Sequence, residues 1–243
     1  MQAWGITDVG NVRAQNQDYY QTADLGNEAL LAVVCDGMGG AKAGNVASRL
    51  ACEVFTEEVQ RSYKKDMTPG ETERVLRNAA SLANVSVYEQ SCLSEEFCGM
   101  GTTLVALLIQ GKEAIIVNIG DSRAYRVGKN GIRRLTTDHS LVQMMVERGD
   151  LTPEQARNYP GKNYITRAVG TETVAICDVF HLDVERGDCL LLCSDGLSNM
   201  IDEQEILFEV VHGINKQYCC QRLLDIAKNR GAPDNVTAVL VLI

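Results

Sequence analysis

Two apolar runs in this chain end in the same way. Ala32-Val33-Val34-Cys35 leads into Asp36-Gly37, and Leu190-Leu191-Leu192-Cys193-Ser194 leads into Asp195-Gly196. Each puts a carboxylate, then a glycine, at the C-terminal end of a strand-like stretch. Asp234 stands just before the last apolar run, in Pro233-Asp234-Asn235, and Asp121 sits in the turn Gly120-Asp121-Ser122. Singly, each is an ordinary turn residue, since Asp favours turns through its own backbone hydrogen bonds. Together they are expected to meet, because the ends of central strands lie close in space. Carboxylates so placed repel one another, and a bound hard cation relieves the repulsion. An oxygen-only ligand set suits Mg2+ or Mn2+ rather than zinc. The three histidines, His139, His181 and His212, are far apart in sequence, which also argues against a zinc hydrolase. Two cations sharing one carboxylate and holding a water between them make hydroxide available near neutral pH and neutralise the oxygens of a phosphate under attack. The glycine after Asp36 allows close backbone approach, and the Gly37 carbonyl can itself be a ligand.

Arg13 is the natural phosphate anchor, since a guanidinium binds phosphate through two parallel N–H groups. It precedes the polar cluster Asn16-Gln17-Asp18. Asp18 either orders water around the cations from an outer layer or is a turn residue. Other phosphate-handling and hydrolytic devices are missing. Gly37-Met38-Gly39-Gly40 lacks the dinucleotide spacing, and neither a G-x-x-x-x-G-K-[ST] loop nor a G-x-S-x-G elbow occurs. None of the nine cysteines is followed six positions later by arginine, which excludes a cysteine-based phosphatase, and no C-x-x-C pair exists.

A hydrophobic fraction of 45% is enough for a real core and excludes a disordered chain. A net charge of −9 and a pI near 4.9 oppose binding to a phosphate backbone, so nucleic acid is excluded as a partner. The longest apolar runs are strand-sized, which excludes a membrane-spanning helix. The start, Met1-Gln2-Ala3-Trp4, has no basic segment before an apolar one, so no signal peptide is expected. Most cysteines lie inside apolar runs, where a thiol acts as a small hydrophobe, and a reduced cytoplasmic compartment follows.

The elements that must position these residues can be read from periodicity. Strands are expected at 5–9, 29–36, 102–109, 113–119, 123–127, 179–182, 188–193 and 236–243. The three from 102 to 127 read as an antiparallel meander with turns at Gln110-Gly111 and Gly120-Asp121-Ser122. Helical spacing covers 43–61, 71–90, 140–148, a short stretch from Thr152-Pro153-Glu154, a helix opened by Asp202 and Glu205, and 217–230. Thr68 with Glu71 fits a capping box, Ser140 with Gln143 caps the third helix, and Gly149 ends it. Strands in groups with helices in pairs between them make an α+β pattern of antiparallel sheets covered by helices. The 243 residues read as a single domain, with the polar, turn-rich stretch from 149 to 170 as a candidate flap.

The chain resembles the metal-dependent Ser/Thr protein phosphatases (the PPM, or protein phosphatase 2C, family), most closely the short bacterial members. Seven motifs carry the resemblance in order. They are Thr7-Asp8-Val9-Gly10-Asn11-Val12-Arg13 with Asn16-Gln17-Asp18; Asp36-Gly37-Met38-Gly39-Gly40; Gly99-Met100-Gly101-Thr102-Thr103; Asn118-Ile119-Gly120-Asp121-Ser122-Arg123-Ala124-Tyr125; Asp138-His139-Ser140-Leu141-Val142; Ser194-Asp195-Gly196-Leu197; and Asp234-Asn235-Val236-Thr237. The resemblance implies a four-layer α/β/β/α sandwich, two antiparallel sheets with a helix pair on each outer face. It implies that Asp36 bridges two catalytic metals, that the Gly37 carbonyl holds the second, and that Asp195 and Asp234 hold the first. Asp121 with Asp195 would hold a weaker third ion, Arg13 would bind the substrate phosphate, and a flap at about 145–164 would influence substrate choice. The implied activity is hydrolysis of phosphoserine and phosphothreonine in proteins, opposing a Hanks-type Ser/Thr kinase, by a monomeric enzyme. Two departures stand out. Gln17 replaces a frequent glutamate, and Met38 stands where eukaryotic members carry a histidine that serves as general acid, so no residue is identified as proton donor. His139, inside a motif, reads as structural. The alternative is a pseudophosphatase that binds phosphoprotein partners without catalysis. Such proteins lose metal aspartates, and this chain keeps Asp36, Asp195 and Asp234.

Overall fold

The computed structural model of the chain describes residues 1–39, 43–157, 159–213 and 215–243. Gly40, the last residue of the second motif, and position 158 within the expected flap lie outside them.

Eleven strands among the described residues form two antiparallel sheets. In chain order they are β1 (Gln2–Asp8), β2 (Asp18–Gly26), β3 (Ala29–Met38), β4 (Gly101–Thr102), β5 (Leu104–Gln110), β6 (Glu113–Ile119), β7 (Arg123–Gly128), β8 (Gly131–Arg134), β9 (Asp178–Asp183), β10 (Cys189–Cys193) and β11 (Val236–Leu242). One sheet has the order β1-β11-β10-β7-β8 and the other β2-β3-β5-β6-β9, with β4 paired to β3. Seven helices accompany them: α1 (Gly44–Ser62), α2 (Pro69–Ser91), α3 (Leu141–Glu147), α4 (Pro153–Arg157), α5 (Asp195–Ser198), α6 (Glu203–His212) and α7 (Cys219–Asn229).

The layers follow from the two-residue period of the strands. In β3, Leu31, Val33 and Cys35 face α1 and α2, while Leu30, Ala32 and Val34 face the other sheet. In β10, Cys189, Leu191 and Cys193 face α6 and α7, while Leu190 and Leu192 face inward. Three apolar clusters result, one between the sheets and one under each helix pair, so the molecule is the four-layer sandwich expected. Helix ends are fixed locally. Thr68 and Glu71 make the reciprocal capping box of α2, and Asp202 and Glu205 make that of α6.

The expected meander is corrected. β5 and β6 do pair as a hairpin, but β7 leaves for the other sheet, where it lies between β10 and β8. The free edge of β6 is taken by β9 instead. Gly120, with φ of +106°, turns the chain out of the plane of the first sheet, so Asp121 sits where the chain crosses between sheets. Two strands and one helix lie beyond the sequence reading. β2 is an edge strand of mixed polarity, β8 has four residues on the other edge, and α5 is one turn long. The sixth expected helix, 217–230, is one residue shorter at its C-terminal end, and its first two residues, Gln217 and Tyr218, belong to a 3-10 turn, Lys216–Tyr218.

Candidate metal centre

The apolar alternation on the inter-sheet faces stops at the same end of every central strand. Continuing β3 by two residues from Val34 gives Asp36, and continuing β10 from Leu192 gives Ser194. Stepping back along β11 from Val239 gives Thr237, and stepping back along β5 from Val105 gives Thr103. The period therefore carries polar side chains into the mouth of the sandwich. β2 supplies Asp18 directly opposite Asp36 in the antiparallel register. Side chains so paired share a face, and like charges there are destabilising unless something lies between them.

Asp18 is buried at 5% exposure. Its Oδ2 accepts hydrogen bonds from Ser194 Oγ and Thr237 Oγ1, each at 2.7 Å. Its Oδ1 is buried without a hydrogen-bond donor. Burial pushes the Asp18 carboxyl up to about 7 against the downward pull of those two hydroxyls, and Asp195 adds to the rise. Asp36 is raised well above the usual carboxylate range, first by burial and then by the charges of Asp18, Asp195, Asp121 and Asp234. Burial and then Asp195 raise Asp121 to about 7. Asp195 rises through burial and then Asp234. Asp36, Asp121, Asp195 and Asp234 each keep an edge in contact with solvent, so the cluster opens outward. The structure thus brings together all five aspartates singled out in the sequence. Among the described residues, no three His, Cys, Asp or Glu side chains stand in ready-made metal-ligand geometry. The carboxylates share a neighbourhood rather than a common point.

Tight backbone contacts bring the loops together. A Cβ on Gly196 would lie 1.9 Å from the Asn235 carbonyl oxygen, so only glycine lets the turns of Asp195 and Asp234 press together. Gly37 is enclosed in the same way. A Cβ there would meet Gly44 O at 2.1 Å and Gln17 O at 2.6 Å. The Asp36 peptide is fixed by Thr103, whose hydroxyl accepts from Asp36 N at 2.9 Å and whose N–H donates to Asp36 O at 2.9 Å.

Arg13 reaches the cluster from a loop. Its guanidinium donates to Asp234 Oδ2 at 2.7 Å and remains 54% exposed in its side chain. Asn235 fastens that loop. Its Nδ2 donates to Val9 O and Gln15 O at 2.9 Å each, and its Oδ1 accepts from Gln17 N at 2.8 Å. Asn235, Thr103, Ser194 and Thr237 support the site although the sequence reading gave them no role. The inter-sheet period was the signal that could have found the last three. A cavity of about 500 Å3 lined by Phe208, His212, Tyr218 and Arg222 lies beside the N-terminal end of α7, whereas the Arg13 loop meets its C-terminal end through Asn11 and Lys228. Its Arg222 is paired with Glu209 at 2.8 Å, and the cavity is separate from the carboxylate mouth.

The stretch expected to form a flap is tied together at its ends. Ser140 bridges Ile165, and Leu141 N donates to Tyr164 O at 2.8 Å. None of the residues of α3 is buried.

Residues 11–225 match the family described as Protein phosphatase 2C. The chain is 34% identical over 237 residues to the serine/threonine phosphatase Stp of Listeria welshimeri, covering 97% of this chain and 93% of the relative. The serine/threonine phosphatase of S. agalactiae superposes with a TM-score of 0.93 at 32% identity, over 100% of this chain and 99% of that one. The catalytic domain of the phosphatase PstP, solved in complex with 2 manganese ions, superposes at 0.84 with 32% identity over 98% and 96%. The chain belongs to the protein phosphatase 2C family as a serine/threonine protein phosphatase of the short bacterial type. Among the described residues no helix is long and apolar enough to cross a membrane.

Proposed function

We propose that residues 1–243 form one catalytic domain that hydrolyses phosphoserine and phosphothreonine in proteins with two divalent cations, Mn2+ or Mg2+, at the carboxylate mouth. The observation that carries this is the pairing of buried Asp18 with Asp36 across β2 and β3, where Asp195, Asp121 and Asp234 add like charge to Asp36. A donor-less buried oxygen on Asp18 and an all-oxygen set fit hard cations. Asp36 would bridge the two ions, the Gly37 carbonyl would hold the second, and Asp195 and Asp234 the first, with Asp121 and Asp195 holding a weaker third. Bound there, the cations supply an acidified water and positive charge against the phosphate oxygens.

The chain's own residues do the rest. Arg13, on its fastened loop, presents two N–H groups to the phosphate and orients it for in-line displacement. In this structure that guanidinium rests on Asp234, and substrate phosphate would compete for it. Asp18, gripped by Ser194 and Thr237, holds an acceptor oxygen beside Asp36 for water in the outer layer. Water attacks phosphorus directly, with no phosphoenzyme: its oxygen forms the new P–O bond as the bond to the serine or threonine oxygen breaks, and that oxygen departs as the alcohol with a proton the water gives up. The flap at 145–164 would influence which phosphoprotein docks. The physiological setting that fits is cytoplasmic and monomeric, opposing a Hanks-type Ser/Thr kinase and its substrates.

Purified protein is assayed on a phosphothreonine peptide with Mn2+ or Mg2+, with EDTA, and beside Asp36→Asn. Phosphate release that EDTA and Asp36→Asn abolish is expected. No release with either metal, from protein shown to be folded, would overturn the reading and favour a non-catalytic adaptor.

A further inference from the structure

His139 is buried at 7% exposure, and its ring is held on both sides. Nδ1 accepts the Gly120 amide hydrogen at 3.0 Å, and the His139 amide donates to Gly120 O at 2.9 Å. Asn118 Nδ2 gives the same carbonyl a second donor at 3.3 Å. Gly120 is therefore clamped in both of its peptides: the ring holds the Ile119–Gly120 amide, and the His139 amide and Asn118 hold the Gly120 carbonyl, which belongs to the planar peptide that ends at Asp121. On the far side of the ring, Nε2 lies 3.1 Å from Asp178 Oδ2. An amide that donates to Nδ1 leaves the ring hydrogen on Nε2, where it donates to Asp178. Arg167 NH1 is 3.2 Å from Nε2, but two donors cannot bond each other. Arg167 is satisfied instead by the other oxygen of Asp178, at 2.9 Å. Asp178 thus selects the tautomer, much as an outer carboxylate does for a metal-ligating histidine. The same histidine closes the flap base, since Thr166 N donates to His139 O at 2.8 Å.

We propose that His139 is a positioning residue: its Nδ1 lone pair, aimed by Asp178, fixes the amide before Gly120 while its own amide fixes the carbonyl after it, and Gly120, held at both ends, sets where the Asp121 carboxylate points and joins the flap base and the Asp121 turn into one unit. Its consequence for cations rests on the reading of Asp121 as a ligand given above. Its geometric core does not.

Two variants separate the ring's two nitrogens. His139→Asn can place an oxygen where Nδ1 stood and still accept from Gly120. His139→Gln extends its amide toward Nε2 and leaves Gly120 without an acceptor. Hydrogen exchange of the Gly120 amide is measured first, in the metal-free full chain, with the 15N signature of the ring in the unsubstituted protein. Strong protection in wild type and His139→Asn, lost in His139→Gln, is expected, with Nδ1 unprotonated. Equal protection in wild type and His139→Gln, or equal loss in both variants, would overturn the proposal. Mn2+ binding is then followed by electron paramagnetic resonance, with Asp121→Asn as the reference. His139→Gln should weaken the weakest ion by about 10-fold or more while sparing the tighter ones. If Asp121→Asn leaves Mn2+ stoichiometry unchanged while Gly120 exchange behaves as expected, the ligand reading of Asp121 fails and the latch stands. If Asp121→Asn removes an ion and His139→Gln binds it like wild type, the positioning role fails.

Discussion

Replacing Asp18 by asparagine should stabilise the metal-free protein, and the gain should grow with pH. In the folded chain the Asp18 carboxyl titrates at about 7, against an ordinary value of 3.8. Between those values the folded state binds more protons than the unfolded one, so the stability of the metal-free protein falls as pH rises through this window. At 1.36 kcal/mol per unit the penalty is roughly 2 kcal/mol at pH 5 and on the order of 4 kcal/mol at pH 8. Asparagine has the same shape. Its oxygen accepts from Ser194 and Thr237, and its Nδ2 donates toward Asp36, so the penalty disappears at little cost in packing. The advantage of Asp18→Asn over wild type should therefore widen by roughly 2 to 3 kcal/mol from pH 5 to pH 8, a relative Tm shift of roughly 5–10 °C for a chain of this length. Urea and thermal unfolding in EDTA at the two pH values measure it. Adding Mn2+ should narrow the gap, because cations compensate the wild-type carboxylates. An equal gain at both pH values, or a variant less stable than wild type at pH 8, would refute the electrostatic account of this pair.

Three further outcomes are expected. Arg13→Ala, which removes a half-exposed side chain, should leave stability almost unchanged and lower kcat/KM on a phosphopeptide by roughly 10- to 100-fold, the worth of a charge-assisted hydrogen bond; unchanged kinetics would remove it as the phosphate anchor. Gly37→Ala drives a Cβ to within 2.1 Å of the Gly44 carbonyl oxygen, a backbone atom that cannot swing aside, and should destabilise by about 1–3 kcal/mol in urea titrations. A change under about 0.5 kcal/mol would show that the turn is looser than drawn. Asp202→Ala removes the N-cap of α6 and should cost about 1 kcal/mol with activity preserved, and a variant as stable as wild type would mean that the capping box contributes nothing.

The sequence by itself determined the apolar runs of β3, β5, β6, β10 and β11, the capped helices, and the presence of Asp-Gly pairs at strand ends. These are local matters, fixed by side-chain period and turn chemistry within a few residues. It also carried the family motifs, and with them Asp36, Asp121, Asp195, Asp234 and Arg13 as candidates. It did not reveal β2, whose mixed pattern on a sheet edge buries few side chains and leaves no clean alternation. For the same reason it could not show that Asp18 stands opposite Asp36, because register is a property of pairing between segments. The fate of β7 was likewise decided elsewhere. A Gly-Asp-Ser turn allows a hairpin, and only the competition of β9 for the edge of β6, with β10 and β8 receiving β7, sent the chain across to the other sheet. That crossing places Asp121 beside the other carboxylates, and it gives His139, which the sequence marks only as a structural residue of a motif, a peptide to hold.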